Sequence, residues 1–158
     1  LESRANFKNG HLDGLREVWR INGQLRLRAN YKDDTLDGLC EEWYYNGQLD
    51  VKESYKNGKL EGLCEEWYEN GQLKSRKLFK DGKFNGLCEA WDRDGKLWTK
   101  ATYKNDNLNG LSERWYSNGQ LWVRENYKND KRDGLSESWY KDGNLVESTT
   151  YKNGVVVE

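Results

Sequence analysis

Short runs in which apolar and polar residues alternate fill this chain, and Asn-Gly or Asp-Gly pairs punctuate them. In "LCEEWYYNGQLDVKESYKNGKLEG", residues 39–62, two runs rich in Trp, Tyr, Leu and Val flank Asn46-Gly47. Alternation at period two marks a strand. Asn-Gly between two such runs marks a hairpin, because a type I′ turn needs positive φ at both central residues. The pattern predicts one strand over 39–45, a two-residue loop at Asn46-Gly47 and a second strand over 48–56. Helix is disfavoured, since no apolar stripe of 3.6-residue period survives between the recurring glycines.

The hairpin pattern recurs at a fixed step. Trp19, Trp43, Trp67, Trp91, Trp115 and Trp139 stand 24 residues apart without an insertion, and Gly14 through Gly134 and Leu15 through Leu135 keep the same step. An aromatic column runs Phe7, Tyr31, Tyr55, Phe79, Tyr103, Tyr127 and Tyr151. Residues 1–13 make an N-terminal half repeat, and 14–157 make six tandem 24-residue repeats in one continuous domain. Each module must cover its neighbour with the same side chain, which is why the tryptophans recur. The expected fold is all-β: an elongated single-sheet antiparallel meander, a β-solenoid-like array of tandem β-hairpins with about 12 to 13 strands.

A two-residue loop at Asn46-Gly47 would place 45/48, 43/50, 41/52 and 39/54 opposite one another. The column Glu17, Glu41, Glu65, Glu89, Glu113, Glu137 then faces Arg28, Lys52, Arg76, Lys100, Arg124, Ser148. Opposite charges meet in every unit but the last, as cross-strand pairing favours. The same register sets Leu39, Glu41 and Trp43 on one face, with Tyr44, Leu49, residue 51 and Tyr55 on the other. It also sets Trp91 opposite Trp98 and Trp115 opposite Trp122, a four-ring patch. Asp92, where four other units carry tyrosine, lies beside it. Tryptophan is a favoured interface anchor, so Trp91, Trp98, Trp115, Trp122 and Asp92 are the candidate partner-binding residues. The column Arg26, Asp50, Lys74, Trp98, Trp122, Val146 varies within this lattice, which is where partner choice can be set.

The second break reads Gly10, Asp34, Gly58, Gly82, Asp106, Asp130, Gly154 at its first glycine position, and aspartate tolerates the left-handed backbone better than most residues. Gly62 and its equivalents never vary, which predicts a bulge or a close backbone approach.

Only 35% of the chain is hydrophobic and 34% is charged, which excludes a thick globular core. Eight Trp, ten Tyr and three Phe at fixed intervals set it apart from a disordered chain. The 26 basic and 27 acidic residues balance, so no bulk field draws nucleic acid, and a membrane surface is disfavoured because the lysine column Lys8 through Lys152 is offset by acids in the same loops. Cys40, Cys64 and Cys88 lie one repeat apart, roughly 9.5 Å along a sheet, too far for a disulfide or a shared zinc. Thiols favour a cytoplasmic setting slightly. The chain lacks Met, so its native start lies elsewhere, which leaves an exported or surface form open.

The single histidine, His11, sits in the half repeat without a nucleophile set around it, and the glycine pairs join strands rather than opening a helix. No catalytic residue, metal or cofactor is expected. Val155, Val156 and Val157 replace the usual Lys, Leu and acid at the last strand, which predicts either self-association through terminal edge strands or a missing continuation.

The run "YKNGKLEGLCEEWYENGQLK", with "WYSNGQL" at 115–121 and "WYYNGQL" at 43–49, resembles the MORN repeat, and more closely its bacterial variant. Members of that variant family are labelled YwqK-like antitoxins, and MORN proteins more broadly are scaffolds and proposed lipid binders. The resemblance covers essentially the whole chain. It implies an open meander of hairpins with an aromatic-lined groove, no catalytic residues, and a non-catalytic scaffold that binds a protein partner, such as a toxin neutralised by this chain. A carbohydrate or cell-surface module and an anionic-lipid module are the alternatives.

Overall fold

The computed structural model describes residues 2–157, and these are all β, without a helix. They form two compact units. One contains β1 (Glu2–Lys8), β2 (His11–Trp19), β3 (Leu25–Lys32), β4 (Thr35–Trp43), β5 (Leu49–Lys56), β6 (Lys59–Leu60), β7 (Gly62–Trp67) and most of β8 (Leu73–Lys80). The other contains Ser75–Lys77 of β8, then β9 (Lys83–Trp91), β10 (Leu97–Lys104), β11 (Asn107–Trp115), β12 (Leu121–Lys128), β13 (Lys131–Trp139), β14 (Leu145–Lys152) and β15 (Val155–Val156). The strands follow chain order in a 15-stranded antiparallel meander, with β6 pairing β5 beside the main path. Fifteen strands rather than 12 to 13 arise because an interruption at Glu61 divides β6 from β7 and Val155–Val156 adds a short final strand.

The two kinds of turn exchange the roles expected of them. Lys56 pairs directly with Lys59, so Asn57-Gly58 is the two-residue hairpin loop, with φ of 49° and 75° at its two residues. Positive φ at both positions is the type I′ signature. At Asn46-Gly47 only Gly47 is left-handed, with φ of 85°. There Gly47 N–H donates to the Tyr44 carbonyl, Tyr44 N–H donates to Gln48, and Trp43 pairs with Leu49, which makes a five-residue connection. The Asn46 side chain accepts from Gln48 N–H at 2.9 Å, a local bond that holds the turn without a second left-handed residue.

Aspartate in the type I′ turns does more than tolerate the backbone. Asp34, Asp106 and Asp130 each accept the main-chain N–H of a residue in the preceding unit, Leu12, Phe84 and Leu108, at 2.7–2.8 Å. Successive turns are thereby tied together by side chains.

Register confirms the charge ladder and corrects the outer pairing. Glu41 faces Lys52 and Leu39 faces Ser54, but Trp43 faces Leu49, and the register slips by one residue between these pairs. The same slip recurs in β2/β3, β9/β10, β11/β12 and β13/β14. Leu49 therefore shares the face of Trp43, contrary to the expected alternation, and residue 50 is the extra residue of a β-bulge. A second irregularity falls at the invariant glycines: Ala29 faces Cys40 and Tyr31 faces Leu36, with Gly38 between at φ of 114°. A Cβ on Gly38 would meet Asn30 Cβ at 3.1 Å, so this glycine is both bulge and close approach, whereas Gly62 of the same column has open space there.

The core is thin. Val18, Ala29, Cys40, Cys64 and Ala101 are buried, together with Ser75, Ser112 and Glu125, on the face away from the repeat tryptophans, while Glu113 of the charge ladder is buried on the tryptophan face. Small side chains suit a site covered only by neighbouring strands and by the rings of the tyrosine column.

Candidate functional site

One face is uniform. It carries the repeat tryptophans and the ion-pair ladder, with Glu17–Arg28 at 3.0 Å, Glu113–Arg124 at 2.9 Å and Glu89–Lys100 at 3.8 Å. Two of the cations that close ladder rungs, Arg28 and Arg124, also reach the next tryptophan, and Arg4 does the same at the first strand: they lie 5.8–6.0 Å from the ring centres of Trp43, Trp139 and Trp19. Such contacts hold the rings against the sheet and leave this face little chemical variety.

The opposite face varies from unit to unit, and the bulge sends the two additional tryptophans there. Trp91 faces Leu97, and Ala90 faces Thr99, so Trp98 projects beside Ala90, away from Trp91. Likewise Trp115 faces Leu121, while Trp122 packs against Arg114, whose side chain is on the side opposite Trp115. The structure therefore does not assemble the four-ring patch. Trp91 and Trp115 belong to the uniform face, and Trp98 and Trp122 to the variable one. Both of the latter remain exposed, 49% and 44%.

Their surroundings differ in an informative way. Around Trp122, the Arg114 guanidinium sits 5.2 Å from the ring centre and the Tyr116 ring 5.8 Å away at 36°. Arg114 also donates to Glu125 at 3.2 Å, and Tyr127 Oη donates to the same carboxylate oxygen at 3.0 Å. Arg132 Nη2 approaches the other oxygen to 2.6 Å, an ion pair without hydrogen-bond alignment. Glu125 is 1% exposed, so its charge is compensated by cations rather than by water.

One repeat earlier, the positions of Arg114, Tyr116 and Glu125 are held by Ala90, Asp92 and Ala101. What is an ion pair and a ring at Trp122 is a hollow of about 240 Å³ at Trp98. Its walls are Trp98, Phe84, Tyr103, Cys88, Ala90 and Ala101, with Lys77, Glu89 and Thr99 at its margin, and they are mostly apolar. Phe84 and Tyr103 stack with ring centres 5.5 Å apart, tilted by 41°. Burial pushes the Tyr103 phenol above its ordinary pKa, and the nearby Cys88 and Asp130 add to the shift.

Asp92 explains part of the opening. In the other units this position holds a donor: Tyr44 Oη reaches the Trp67 carbonyl at 2.7 Å, Tyr116 Oη reaches that of Trp139 at 3.0 Å, and Arg20 donates to the Trp43 carbonyl. A carboxylate has no proton to give a carbonyl. Asp92 instead turns back on its own loop, accepting from Asp94 N–H at 3.0 Å and Lys96 N–H at 2.9 Å.

Ala90 and Ala101 were not singled out by sequence reasoning, although aligning the repeats shows alanine replacing Arg114 and Glu125 together. Nor were Glu125 and Arg132, whose signal is an arginine in a column otherwise Leu, Phe or Val. A wider depression of about 990 Å³ beside β1 is lined by Glu2, Arg4 and Arg16 among others and is more polar than the Trp98 hollow. Among the described residues no group of His, Cys, Asp or Glu is placed to hold a metal ion, and Cys40, Cys64 and Cys88 form no disulfide.

A meander of hairpins, each supported by its neighbours, with one uniform and one varied face, defines a tandem β-hairpin repeat scaffold. The sequence model of the MORN repeat variant matches residues 36–57, 60–81, 84–105, 108–129 and 132–153, more than half of the chain, and the chain belongs to that family. No curated protein matches the chain.

Proposed function

We propose that this MORN repeat scaffold is non-catalytic and binds a protein partner through the variable face that carries Trp98 and Trp122. The observation that supports the reading is the exposure of two tryptophans on that face, where the bulge turns them away from the uniform ladder. Large, rigid side chains of this kind are the anchors on which interfaces concentrate their energy. The uniform face is occupied by its own cation–ring and carboxylate contacts, so it has less to offer a partner.

The family resemblance makes a toxin the first class of partner to test. Crosslinking in native lysate should join a defined protein to the wild-type chain and not to Trp98→Ala/Trp122→Ala, while Trp19→Ala, on the uniform face, keeps the product. Co-expression with that protein should relieve growth arrest if it is a toxin. Equal crosslinking by wild type and the double variant, or selective retention on a glycan array or on anionic vesicles instead, would refute the reading.

A further inference from the structure

We infer that the hollow beneath Trp98 is an anchor site for one uncharged, apolar side chain of a protein partner, and that Trp122 is not such a site. This rests on the protein-binding reading above and narrows it to one pocket and one chemistry.

The comparison lies within the molecule. Two adjacent repeats place a tryptophan at the same bulge position. In one, the space beside the ring is filled by Arg114 and Tyr116 of the chain itself, and the guanidinium is neutralised by Glu125. In the other, both members of that ion pair are alanine and the tyrosine is aspartate, so the space remains. Trp98 therefore offers a partner the contact that Trp122 has already made.

The chemistry of the occupant follows from what is missing. An arginine entering the hollow would find the ring but not the counterpart of Glu125, because Ala101 stands in its place and Glu89, the carboxylate at the margin, is already paired with Lys100 at 3.8 Å. A charge buried without its counter-ion is strongly disfavoured. A sugar would leave its hydroxyls against Ala90, Ala101, Phe84 and Cys88, which present mostly apolar surface. An aliphatic or aromatic side chain loses nothing there.

Size points the same way. At about 240 Å³ the hollow is below the roughly 300–1,000 Å³ of pockets that enclose a whole small ligand. It fits a side chain presented by a larger body, flanked by the exposed Trp98 ring as a wall.

The test follows the Trp98 indole N–H and the Ala90 and Ala101 methyl resonances of the whole chain during separate additions of N-acetyl-leucine amide, N-acetyl-arginine amide and glucose in the millimolar range. Leucine amide should move the Trp98 signals several-fold more than the other two, with the Trp122 indole unmoved. No response to leucine amide, or an equal response to arginine amide or glucose, overturns the proposal. The graft Ala90→Arg/Ala101→Glu copies the neighbouring ion pair and should abolish the response. Ala90→Leu fills the hollow without charge and should do the same, should the graft fail to fold. A response that survives in a folded variant also overturns it.

Selection of displayed random peptides on the wild-type chain separates this inference from the broader one. Peptides that carry an apolar residue and bind Ala90→Leu at least about tenfold more weakly support both. Peptides that bind wild type and Ala90→Leu equally refute the pocket alone, and the absence of any binding peptide refutes the protein-binding reading.

Discussion

Arg114 holds its guanidinium 5.2 Å from the ring centre of Trp122 while its Nη2 pairs with Glu125 at 3.2 Å, so one side chain packs an exposed ring and compensates a buried charge. The two tasks predict an asymmetry. Arg114→Ala/Arg132→Ala would leave Glu125, 1% exposed, without a cation, at a cost of about 3–5 kcal/mol. Glu125→Ala leaves two arginines whose side chains are 42% and 43% exposed and can turn to water, and should cost only about 1–2 kcal/mol. Urea midpoints at unchanged slope measure both. The reverse order would show that Glu125 is not held as described.

Asp92→Tyr should stabilise the protein. The new hydroxyl would reach the Trp115 carbonyl as Tyr116 reaches that of Trp139, a bond worth about 1 kcal/mol. The turn bonds lost with the carboxylate can pass to Asp94, which stands where Asn46 and Asn118 hold their own turns. The melting temperature should rise by a few degrees, and a fall would mean the Asp92 loop bonds matter more than the missing rung.

Two invariant glycines should respond unequally to alanine. Gly62, at φ of 91°, has open space where a Cβ would stand, so Gly62→Ala pays only the backbone strain, about 1–2 kcal/mol. Gly38→Ala pays that and must also displace Asn30, whose Cβ lies 3.1 Å away and whose amide donates to Leu39. Chemical denaturation of the two variants should therefore rank Gly38→Ala as the worse, and equal losses would remove the Asn30 contact as a cause.

The His11–Asp34 contact, 2.5 Å long at the surface, gives a pH signature. The hydrogen bond to Asp34, and then its charge, raise the His11 pKa above 6.5, and the bond to His11 lowers that of Asp34 below 3.8. For the histidine, the stabilisation is present in full below pH 6.5 and is lost as pH rises through the elevated folded value. For the aspartate it is present above 3.8 and lost as pH falls through the depressed value. The pair is strongest between these limits. An NMR titration should place His11 above 6.5 in wild type and close to it in Asp34→Asn; no change between the two would remove the pair.

Burial pushes the Cys40 thiol up to about 11, with Glu42, Glu53 and Glu41 adding to it, so at neutral pH its thiolate is scarce. Iodoacetamide should modify Cys88, which is less buried, before Cys40 in the folded protein. Simultaneous modification would indicate that the strands open together.

The 24-residue step, the hairpin as its module and the facing of Glu41 with Lys52 were legible in the residues, because a strict repeat forces each unit to meet the same neighbour and a charge ladder exposes its own register. The identity of the turns was not. Asn-Gly suits a left-handed glycine after either one or two residues of turn, and only the flanking pairing, Lys56 with Lys59 against Trp43 with Leu49, tells the two apart. The placement of Trp98 depended on the tertiary structure for a related reason. A single extra residue in a strand reverses which face every side chain beyond it occupies, and a bulge at residue 50 leaves no mark in composition or period. Sequence thus decided which side chains recur; the bulge decided which face of the sheet each of them occupies.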